Sequence, residues 1–495
     1  MNSIQYFSSK YISMRYLIFI LVLLPSLLIA QDWTNTKKAI INSIDNHETK
    51  LIEISDEIWA NAELAFEEYK SSELLASYAE ANGLRVTRDL AGMKTAFIAE
   101  YGSGKPIIGV LGEFDALPGI SQKAKPTKDA LEEGKGGHGC GHNLFGTGSL
   151  GAVIAAKELI DAGQLKGTVR FYGTPAEEKY FGKLWFAREG FFDDLDVCLD
   201  WHPSAQTKAD VQSSLALVDF IVEFSGQAAH ASADPWNGRS ASDGMELFTT
   251  GINYFREHIK PTVRIHYHMM HAGDVVNVVA DKSKIWTRVR DTKRDGMLEV
   301  YEHVKEIARG AAIMARVDYK ISLVSGLHEV LVNRTGGEAM HKNLMMLGDI
   351  EYTEAEQAFA KTIQVSTGMP KLGLDGNIKD FEETLEHPGG GSTDVGDVSW
   401  LVPEIRLGVT TAPALTPWHS WAVVACGGMS IGHKGMLHAS KAIGMTIVDL
   451  LENPQLVTDV KAEFDKRKGD HTYEAILPDG PPPTPENLEA QKANK

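Results

Sequence analysis

Hydrophobic positions along the chain switch between helical and strand spacing, which predicts an α/β protein. Apolar residues recur at helical spacing across 35–64 and again across 71–82, where Gly83 ends the run. Short apolar runs typical of strands follow at 95–101, 107–112, 167–173 and 196–200. A helix rich in Ala, Gly and Leu is predicted between them at 144–160. Strands that alternate with helices indicate a mostly parallel sheet flanked by helices.

A second group of elements follows this sheet. Its strands are predicted at 215–225, 263–268, 284–290 and 317–324, and its helices at 242–258 and 297–315. Residues 213–327 therefore form an α+β unit inserted into a first domain that comprises 34–212 and 328–455. Further elements of the first domain are predicted at 353–367, 405–409 and 434–451. Residues 456–495 are charged and carry a proline cluster from Pro481 to Pro485, so we expect an extended or partly disordered tail.

Composition excludes several classes of partner. The chain has 495 residues with 43% apolar character, which is enough for at least two domains with cores of their own. A net charge of −17 and a pI near 5.5 argue against nucleic acid and anionic membrane surfaces as partners. Only three cysteines are present, so no disulfide framework supports the fold.

The N-terminus has the features of a secretory signal peptide. Lys10 and Arg15 precede an apolar run at 16–30, and small Ala30 stands before the polar Gln31. The run is short for a membrane span, so we expect cleavage after Ala30, although an uncleaved anchor remains an alternative. The protein is therefore predicted to be exported, as a periplasmic or secreted protein without membrane contact after cleavage.

A motif at 137–143 places a thiol and an imidazole two residues apart among glycines. Cys140 and His142 offer one soft and one borderline ligand to a transition metal, and the glycines let the backbone approach closely. His138 either binds metal or supports a ligand. Asn143 is expected to cap the helix that follows.

Acidic and imidazole side chains also follow three of the predicted strands. Asp115 comes after 107–112, Glu177 and Glu178 come after 167–173, and His202 comes after 196–200. Sites in parallel sheets lie beyond the carboxyl ends of the strands, so these groups should meet. Adjacent residues of a strand point to opposite faces, so an irregular strand end is needed for both glutamates to face one site. The set of N, S and O ligands, with a carboxylate free to move protons, predicts a metal-dependent hydrolase.

Other histidines are interpreted as structural. His433 and His438 stand at helical spacing, where core or surface positions are the common outcome. His266, His268 and His271 lie near alternate positions of a predicted strand, a pattern more typical of an interface or a packed face.

Four signatures together carry a family resemblance over about residues 34–455. They are 137–143 (GHGCGHN), 175–178 (PAEE), 391–400 (GSTDVGDVSW) and 430–436 (SIGHKGM). The chain resembles the metallo-aminoacylase and carboxypeptidase G superfamily, in the amidohydrolase branch that includes plant auxin-conjugate hydrolases and bacterial hippurate hydrolases. The resemblance implies a zinc-exopeptidase-like catalytic domain, with 213–327 as a lid and dimerisation domain.

The resemblance also implies roles for individual residues. Two divalent ions, Mn²⁺ or Zn²⁺, would be bound by Cys140, His142, Glu178, His202 and His419. Glu177 would act as general acid and base on a metal-activated water. His230 would polarise the scissile carbonyl, which in some relatives it does across a dimer interface. Asp115 is counted among the catalytic residues. In the lid, Asn277 would lie near the substrate, and Arg290, with Arg288 and Arg239 as further candidates, could pair with a substrate carboxylate.

Two positions depart from the family pattern. Glu113 stands where the amidohydrolase branch usually has Asp, so it either supports a ligand or binds metal weakly. Thr393-Asp394 replaces the usual Glu-Asp pair, which leaves the role of that position open.

The resemblance implies an N-acyl or N-aroyl amino acid as substrate, with p-aminobenzoyl-glutamate as the leading candidate. It also implies a homodimer through the lid, or a heteromer with a related A-type subunit. A metallo-aminopeptidase or dipeptidase is the alternative enzyme, and would require recognition of a free substrate amine. A non-catalytic secreted binding protein on the same fold would lack a ligand or the base, and none is missing here.

Overall fold

The computed structural model describes residues 33–383 and 390–493, which contain two separate β-sheets. The predicted signal peptide at 1–30 lies outside the described residues. In chain order the strands are β1 (Arg85–Leu90), β2 (Met93–Ser103), β3 (Ile107–Gly112), β4 (Gly167–Gly173), β5 (Val197–Ser204), β6 (Lys208–Asp210), β7 (Ala216–Ser225), β8 (Arg264–His271), β9 (Lys282–Asp291), β10 (Asp318–Leu327) and β11 (Glu404–Thr410).

The larger sheet has the strand order β1-β2-β4-β3-β5-β11-β6. Its four central strands, β4, β3, β5 and β11, run parallel, whereas β1, β2 and β6 pair antiparallel at the edges. The α/β fold class is confirmed, and the parallel pairing is confined to the centre of the sheet. Because parallel strands end at the same edge, the residues after β3, β4 and β5 are brought together.

Helices cover both sheets. In chain order they are α1 (Asn35–Asn61), α2 (Tyr69–Ala81), α3 (His142–Asp161), α4 (Gly182–Arg188), α5 (Ala241–Phe255), α6 (Arg294–Ala315), α7 (Arg334–Leu347), α8 (Glu354–Ser366), α9 (Val395–Ser399), α10 (Trp421–Gly427), α11 (Ser430–Glu452), α12 (Pro454–Lys468) and α13 (Pro485–Ala493). Among these described helices, none is long and apolar enough to cross a membrane.

Helix α3 is the central helix of the larger core and packs against α1, α11 and the sheet. Its small residues allow this close approach: a Cβ at Gly151 would lie 2.7 Å from Leu51 Cδ1 and 3.0 Å from Ser440 Oγ. The helix begins at His142, after Gly141 in the left-handed conformation with φ +79°. The prediction that Asn143 caps this helix is wrong, because its amide is buried inside the helix and donates to Ser55 Oγ at 3.0 Å.

The smaller sheet has the order β10-β7-β9-β8, and all of its strands pair antiparallel. Inward residues such as Val218, Ile285 and Val289 pack on α5 and α6 in a core separate from that of the larger sheet. This unit lies within the predicted insertion at 213–327. The domain boundaries themselves stay predictions.

The C-terminal region is more ordered than its composition suggested. The prediction of an extended or partly disordered tail is wrong for α12 and α13. Asn453 caps α12 by accepting hydrogen bonds from the amides of residues 455 and 456, and Pro454 occupies its first turn. Only Val460 and Phe464 are buried on α12, so the apolar stripe is too narrow to stand out in the sequence.

Candidate metal centre

The ends of β3, β4 and β5 converge on the first turn of α3 and form a cluster of metal-ligating side chains. Potential ligand atoms of Cys140, His142 and His202 lie within 4.8 Å of one another, and so do those of Cys140, Glu178 and His419. Cys140 therefore belongs to two adjacent groups of three. The five ligands predicted from the sequence are all brought together here.

Hydrogen bonds to the carboxylate of Asp115 hold two members of this cluster in place. Its Oδ1 lies 2.9 Å from Nδ1 of His142, and its Oδ2 accepts a hydrogen bond of 2.9 Å from the amide of Glu178. Contact through Nδ1 leaves Nε2 of His142 free for a metal, the arrangement by which carboxylates orient metal-binding imidazoles. These contacts position His142 and Glu178, and the prediction that Asp115 is catalytic stays a prediction.

The imidazoles of His142 and His202 both face one carboxylate oxygen of Glu113. Nε2 of His142 lies 3.0 Å from Oε2 of Glu113, and Nε2 of His202 lies 3.5 Å from the same oxygen. Nε2 of His142 and Oε2 of Glu113 are buried, and neither has a hydrogen-bond partner among the described residues. Buried polar atoms are normally satisfied, so nitrogen, sulfur and oxygen donors that converge in this way fit a divalent cation.

The second group of three connects the cluster to the loop before α10. Nε2 of His419 lies 3.6 Å from Oε2 of Glu178, and Oε1 of Glu178 is buried without a hydrogen-bond partner among the described residues. The His419 backbone is in the left-handed region with φ +57°, and its amide donates to the carbonyl of Gly139 at 3.0 Å. The strained backbone and this hydrogen bond fix the histidine against the Cys140 motif.

The chain after β4 has the irregular end that the paired glutamates require. Strand β4 ends at Gly173, and Ala176 adopts φ +63°. The Ala176 amide donates to Oε1 of buried Glu68 at 2.9 Å. This turn lets Glu177 and Glu178 face the same cluster, with Glu177 in a group of three with Glu113 and His142.

Burial and mutual repulsion perturb the protonation of these acids. Burial, followed by the charges of Glu113 and Glu178, raises the pKa of Glu177 well above its usual value. Burial also raises the pKa of Glu178 to about 7. Burial opposes protonation of His142, but Glu113, Cys140 and Asp115 together outweigh it and raise the pKa of that imidazole well above its usual value. The cluster has more negative charge than its own side chains balance.

A fully buried lysine, which sequence reasoning missed, balances part of this charge. Nζ of Lys183 lies 2.5 Å from Oε1 of Glu113 and 2.7 Å from Oδ1 of Asp394. Asp394 Oδ2 also accepts from the Lys183 amide at 3.0 Å. Burial alone would raise the pKa of Glu113, yet Lys183 and His142 hold it well below its usual value. Glu113, one of the two departures from the family pattern, thus belongs to an ion-pair triad with Lys183 and Asp394.

His138 stands apart from the two ligand groups. Its Nε2 contacts the carbonyl of Ile58 in α1 at 3.0 Å, and burial lowers its pKa to about 4. The histidine therefore holds the motif against α1 as a neutral side chain.

The predicted lid residues do not contact the cluster in the described residues. His230 and Asn277 are exposed and lie side by side, since the amide of Ala231 donates to the Asn277 carbonyl at 3.0 Å. Arg290 instead lines a cavity of about 420 Å³ with His266, His268, Trp286 and Arg288. The three candidates thus fall into two separate places on the inserted unit.

A larger cavity of about 630 Å³ opens beside Glu178. Its walls include Leu117 and Tyr180 from the loops that follow β3 and β4, Trp286 from β9, and residues of the C-terminal segment. The candidate centre therefore has a space next to it that can hold a small organic molecule.

Comparison with protein families and known proteins agrees with this geometry. Residues 109–342 match the model of peptidase family M20/M25/M40. The chain is 36% identical over 472 residues to the B subunit of p-aminobenzoyl-glutamate hydrolase from Escherichia coli (strain K12), covering 90% of this chain and 98% of that protein. It is 28% identical over 449 residues to the Xaa-Arg dipeptidase of Homo sapiens, covering 85% and 90% respectively.

A solved structure shares the fold. It is a dinuclear metal-binding peptidase of family M20 from Bacillus subtilis, with a TM-score of 0.53 and 19% identity, covering 82% of this chain and 99% of the other.

Proposed function

This chain belongs to peptidase family M20/M25/M40 and is a metal-dependent amide hydrolase, and on that premise we propose that it cleaves N-acyl and N-aroyl amino acids. The leading substrate is p-aminobenzoyl-glutamate, which would yield p-aminobenzoate and glutamate. The observation that carries this proposal is the 36% identity to a component of p-aminobenzoyl-glutamate hydrolase over nearly the whole length of that protein.

We assign the metal ligands from the two groups of three. Cys140, His142 and His202 would hold one ion, and Cys140, Glu178 and His419 the other. Thiolate, imidazole and carboxylate ligands suit zinc and also accept manganese. When bound, such ions would supply Lewis acidity to the carbonyl and lower the pKa of water to about 7.

Two carboxylates around the ligands have different roles, one in proton transfer and one in orienting a ligand. Glu177 is a buried carboxylate outside the two ligand groups, whereas the other two, Glu113 and Asp115, are engaged with Lys183 and His142. This supports the role of Glu177 as the base that takes a proton from water and returns it to the leaving amine. Asp115 keeps His142 in the tautomer that presents Nε2 to the cluster.

Arg290 is suited to bind the substrate carboxylate. Its neighbour Arg288 already pairs with Asp219, with Nε of the guanidinium at 2.7 Å from Oδ1. Nε of Arg290 is buried and lacks a hydrogen-bond partner among the described residues, so an incoming carboxylate would satisfy it.

His230 and Asn277 are proposed to act from a second copy of the chain or after closure of the lid, because both are exposed in this chain. The partner would be a second copy or a related A-type subunit, a proposal supported by the Escherichia coli relative, which is named as the B component of its hydrolase. Export to the periplasm or outside the cell is proposed from the sequence of residues 1–30 alone.

The test is release of glutamate from p-aminobenzoyl-glutamate by the purified chain loaded with Mn²⁺ or Zn²⁺. We expect turnover that chelation removes, that Glu177→Gln and Cys140→Ala abolish, and that the exposed control Glu299→Gln on α6 retains. Turnover that persists in Glu177→Gln would overturn the assignment of the base.

A dipeptidase is the second candidate, favoured by the 28% identity to an Xaa-Arg dipeptidase. Dipeptides with free and acetylated amino termini separate the two. Cleavage that requires the free amine would replace the first proposal with the second.

A further inference from the structure

The C-terminal segment forms one wall of the cavity beside Glu178. We call residues 480–489 the C-terminal strap. Three of its apolar side chains, Pro483, Pro485 and Leu488, line the cavity of about 630 Å³. Trp286 of β9 and Tyr180 complete an apolar surface around the same space. The strap thus lies beside the candidate centre, opposite β9 and the loop after β4.

Several contacts anchor the strap to the catalytic body. At its beginning, the carbonyl of Gly480 accepts a hydrogen bond of 2.9 Å from Nη1 of Arg188 in α4. At α13, Oε1 of Glu486 lies 2.9 Å from both the hydroxyl of Tyr69 and Nζ of Lys94. Attachment at Gly480 and at Glu486 holds the strap in place as a wall of the cavity.

The cavity beside Glu178 and the neighbouring cavity at Arg290 are lined by side chains of different charge. The strap offers apolar side chains and acidic Glu489, and Glu67 and Glu178 line the same space, so a carboxylate is disfavoured there. Beyond Trp286, which lines both cavities, Arg290 and the imidazole of His266 offer cationic and polar groups. The two ends of an acyl amino acid therefore find different surroundings on the two sides of Trp286.

Building on the proposed function, we infer that the C-terminal strap and Trp286 form the binding site for the acyl group of the substrate and give the enzyme its preference for aromatic acyl groups. Pro483, Pro485 and Leu488 are the specificity-determining residues of this site. A flat aryl ring buries apolar area against such a wall, whereas an acetyl group is too small to reach it.

The test compares two substrates that differ only in the acyl group. The variants are Leu488→Ala, which removes part of the wall, and Leu488→Trp, which fills the space. Leu488 is 38% exposed, so neither change should prevent folding, and thermal melting checks this. Leu372→Ala is the control, because Leu372 is 60% exposed and lies away from this cavity.

We expect kcat/KM for p-aminobenzoyl-glutamate to fall about 10-fold in both Leu488 variants, the scale of a small change in a hydrophobic specificity pocket. With N-acetyl-glutamate, kcat/KM should stay within about twofold of wild type, and the control should change neither value. An equal loss on both substrates, or no loss on either, would overturn the inference.

A binding measurement separates this inference from the proposed function. Calorimetric titration of p-aminobenzamide, the uncharged amide of the same acyl group, should show about 10-fold weaker binding to Leu488→Ala than to wild type, the same pocket scale. If the metal-loaded wild type cleaves neither amide but this difference is seen, the proposed function fails and the acyl site stands. Equal binding to wild type and variant overturns the acyl site whatever the activity.

Discussion

Replacing Lys183 with methionine tests whether charge balance beneath the metal centre stabilises the fold. The lysine is fully buried between Glu113 and Asp394, at 2.5 and 2.7 Å. Methionine has a similar length but no charge, so it would leave two carboxylates facing each other without their cation. The change should therefore remove an electrostatic interaction and little packing.

The size of the effect follows from the burial of the triad. Breaking a buried ion pair by removing one partner costs about 3 to 5 kcal/mol. Unfolding entropy of about 2.1 cal/mol/K per residue amounts to roughly 1 kcal/mol/K for a unit the size of Thr34–Lys495, so Tm should fall by about 3 to 5 °C. Adding Asp394→Asn should recover part of this loss, because one of the two unbalanced charges is then removed.

Calorimetric melting with chelator and with added Mn²⁺ measures the effect. The loss of stability should be smaller in the presence of metal. Glu113 also faces the imidazoles of His142 and His202, so an ion bound there would balance part of its charge. Lys282→Met, at an exposed position of β9, is the control and should stay within about 0.5 kcal/mol of wild type. A Lys183→Met protein that melts within about 1 °C of wild type in chelator would refute the charge-balance argument.

Three further predictions follow from the site and its surroundings. Cys140 belongs to both ligand groups, so Cys140→Ala should lose both ions, whereas His419→Ala should retain one. Elemental analysis measures the metal content, and an equal loss in both variants would contradict a shared ligand. Glu177→Gln should lower kcat about 10² to 10⁴-fold with unchanged metal content, and a parallel loss of metal would make Glu177 a ligand. Burial lowers the pKa of His438 to about 4, and its Nε2 has no hydrogen-bond partner among the described residues, so the unfolded chain takes up its proton first as pH falls. Stability should therefore drop by about 2 to 3 kcal/mol between pH 6.5 and 4, and His438→Phe should flatten this part of the urea-unfolding profile; an unchanged slope would contradict it.

The sequence predicts the parts of the site that depend on the ends of strands. The apolar runs in the sequence predict β3, β4 and β5. The polar residues directly after these strands, such as Asp115 and Glu178, meet because parallel strands end at one edge of the sheet. Edge strands β1 and β6 went unpredicted because their residues are largely polar and partly exposed.

Other parts of the site depend on contacts that no local pattern encodes. Lys183 follows a glycine and precedes an apolar run, so its position alone gives no sign of a buried triad with residues 70 and 211 positions away. The strap presents a similar case, since its prolines are typical of an extended tail while its position beside the cavity depends on contacts with Tyr69 and Lys94. Both features arise from tertiary packing, which overrides local propensity.

The charges at the centre link the metal site to the rest of the fold. Glu113, Asp115 and Glu177 are almost completely buried within one cluster, an arrangement that costs free energy unless cations balance it. Lys183 supplies one positive charge on the side facing Asp394, whereas Glu177 and Glu178 have no ion pair with a lysine or arginine among the described residues. Divalent ions bound there would complete the balance, so the same acids that make the apo site costly make metal binding favourable. The buried acids of the core therefore carry negative charge that bound ions would neutralise. Lys183 neutralises another part of this charge, which is why a lysine remote from the ligands in sequence lies beside the metal centre.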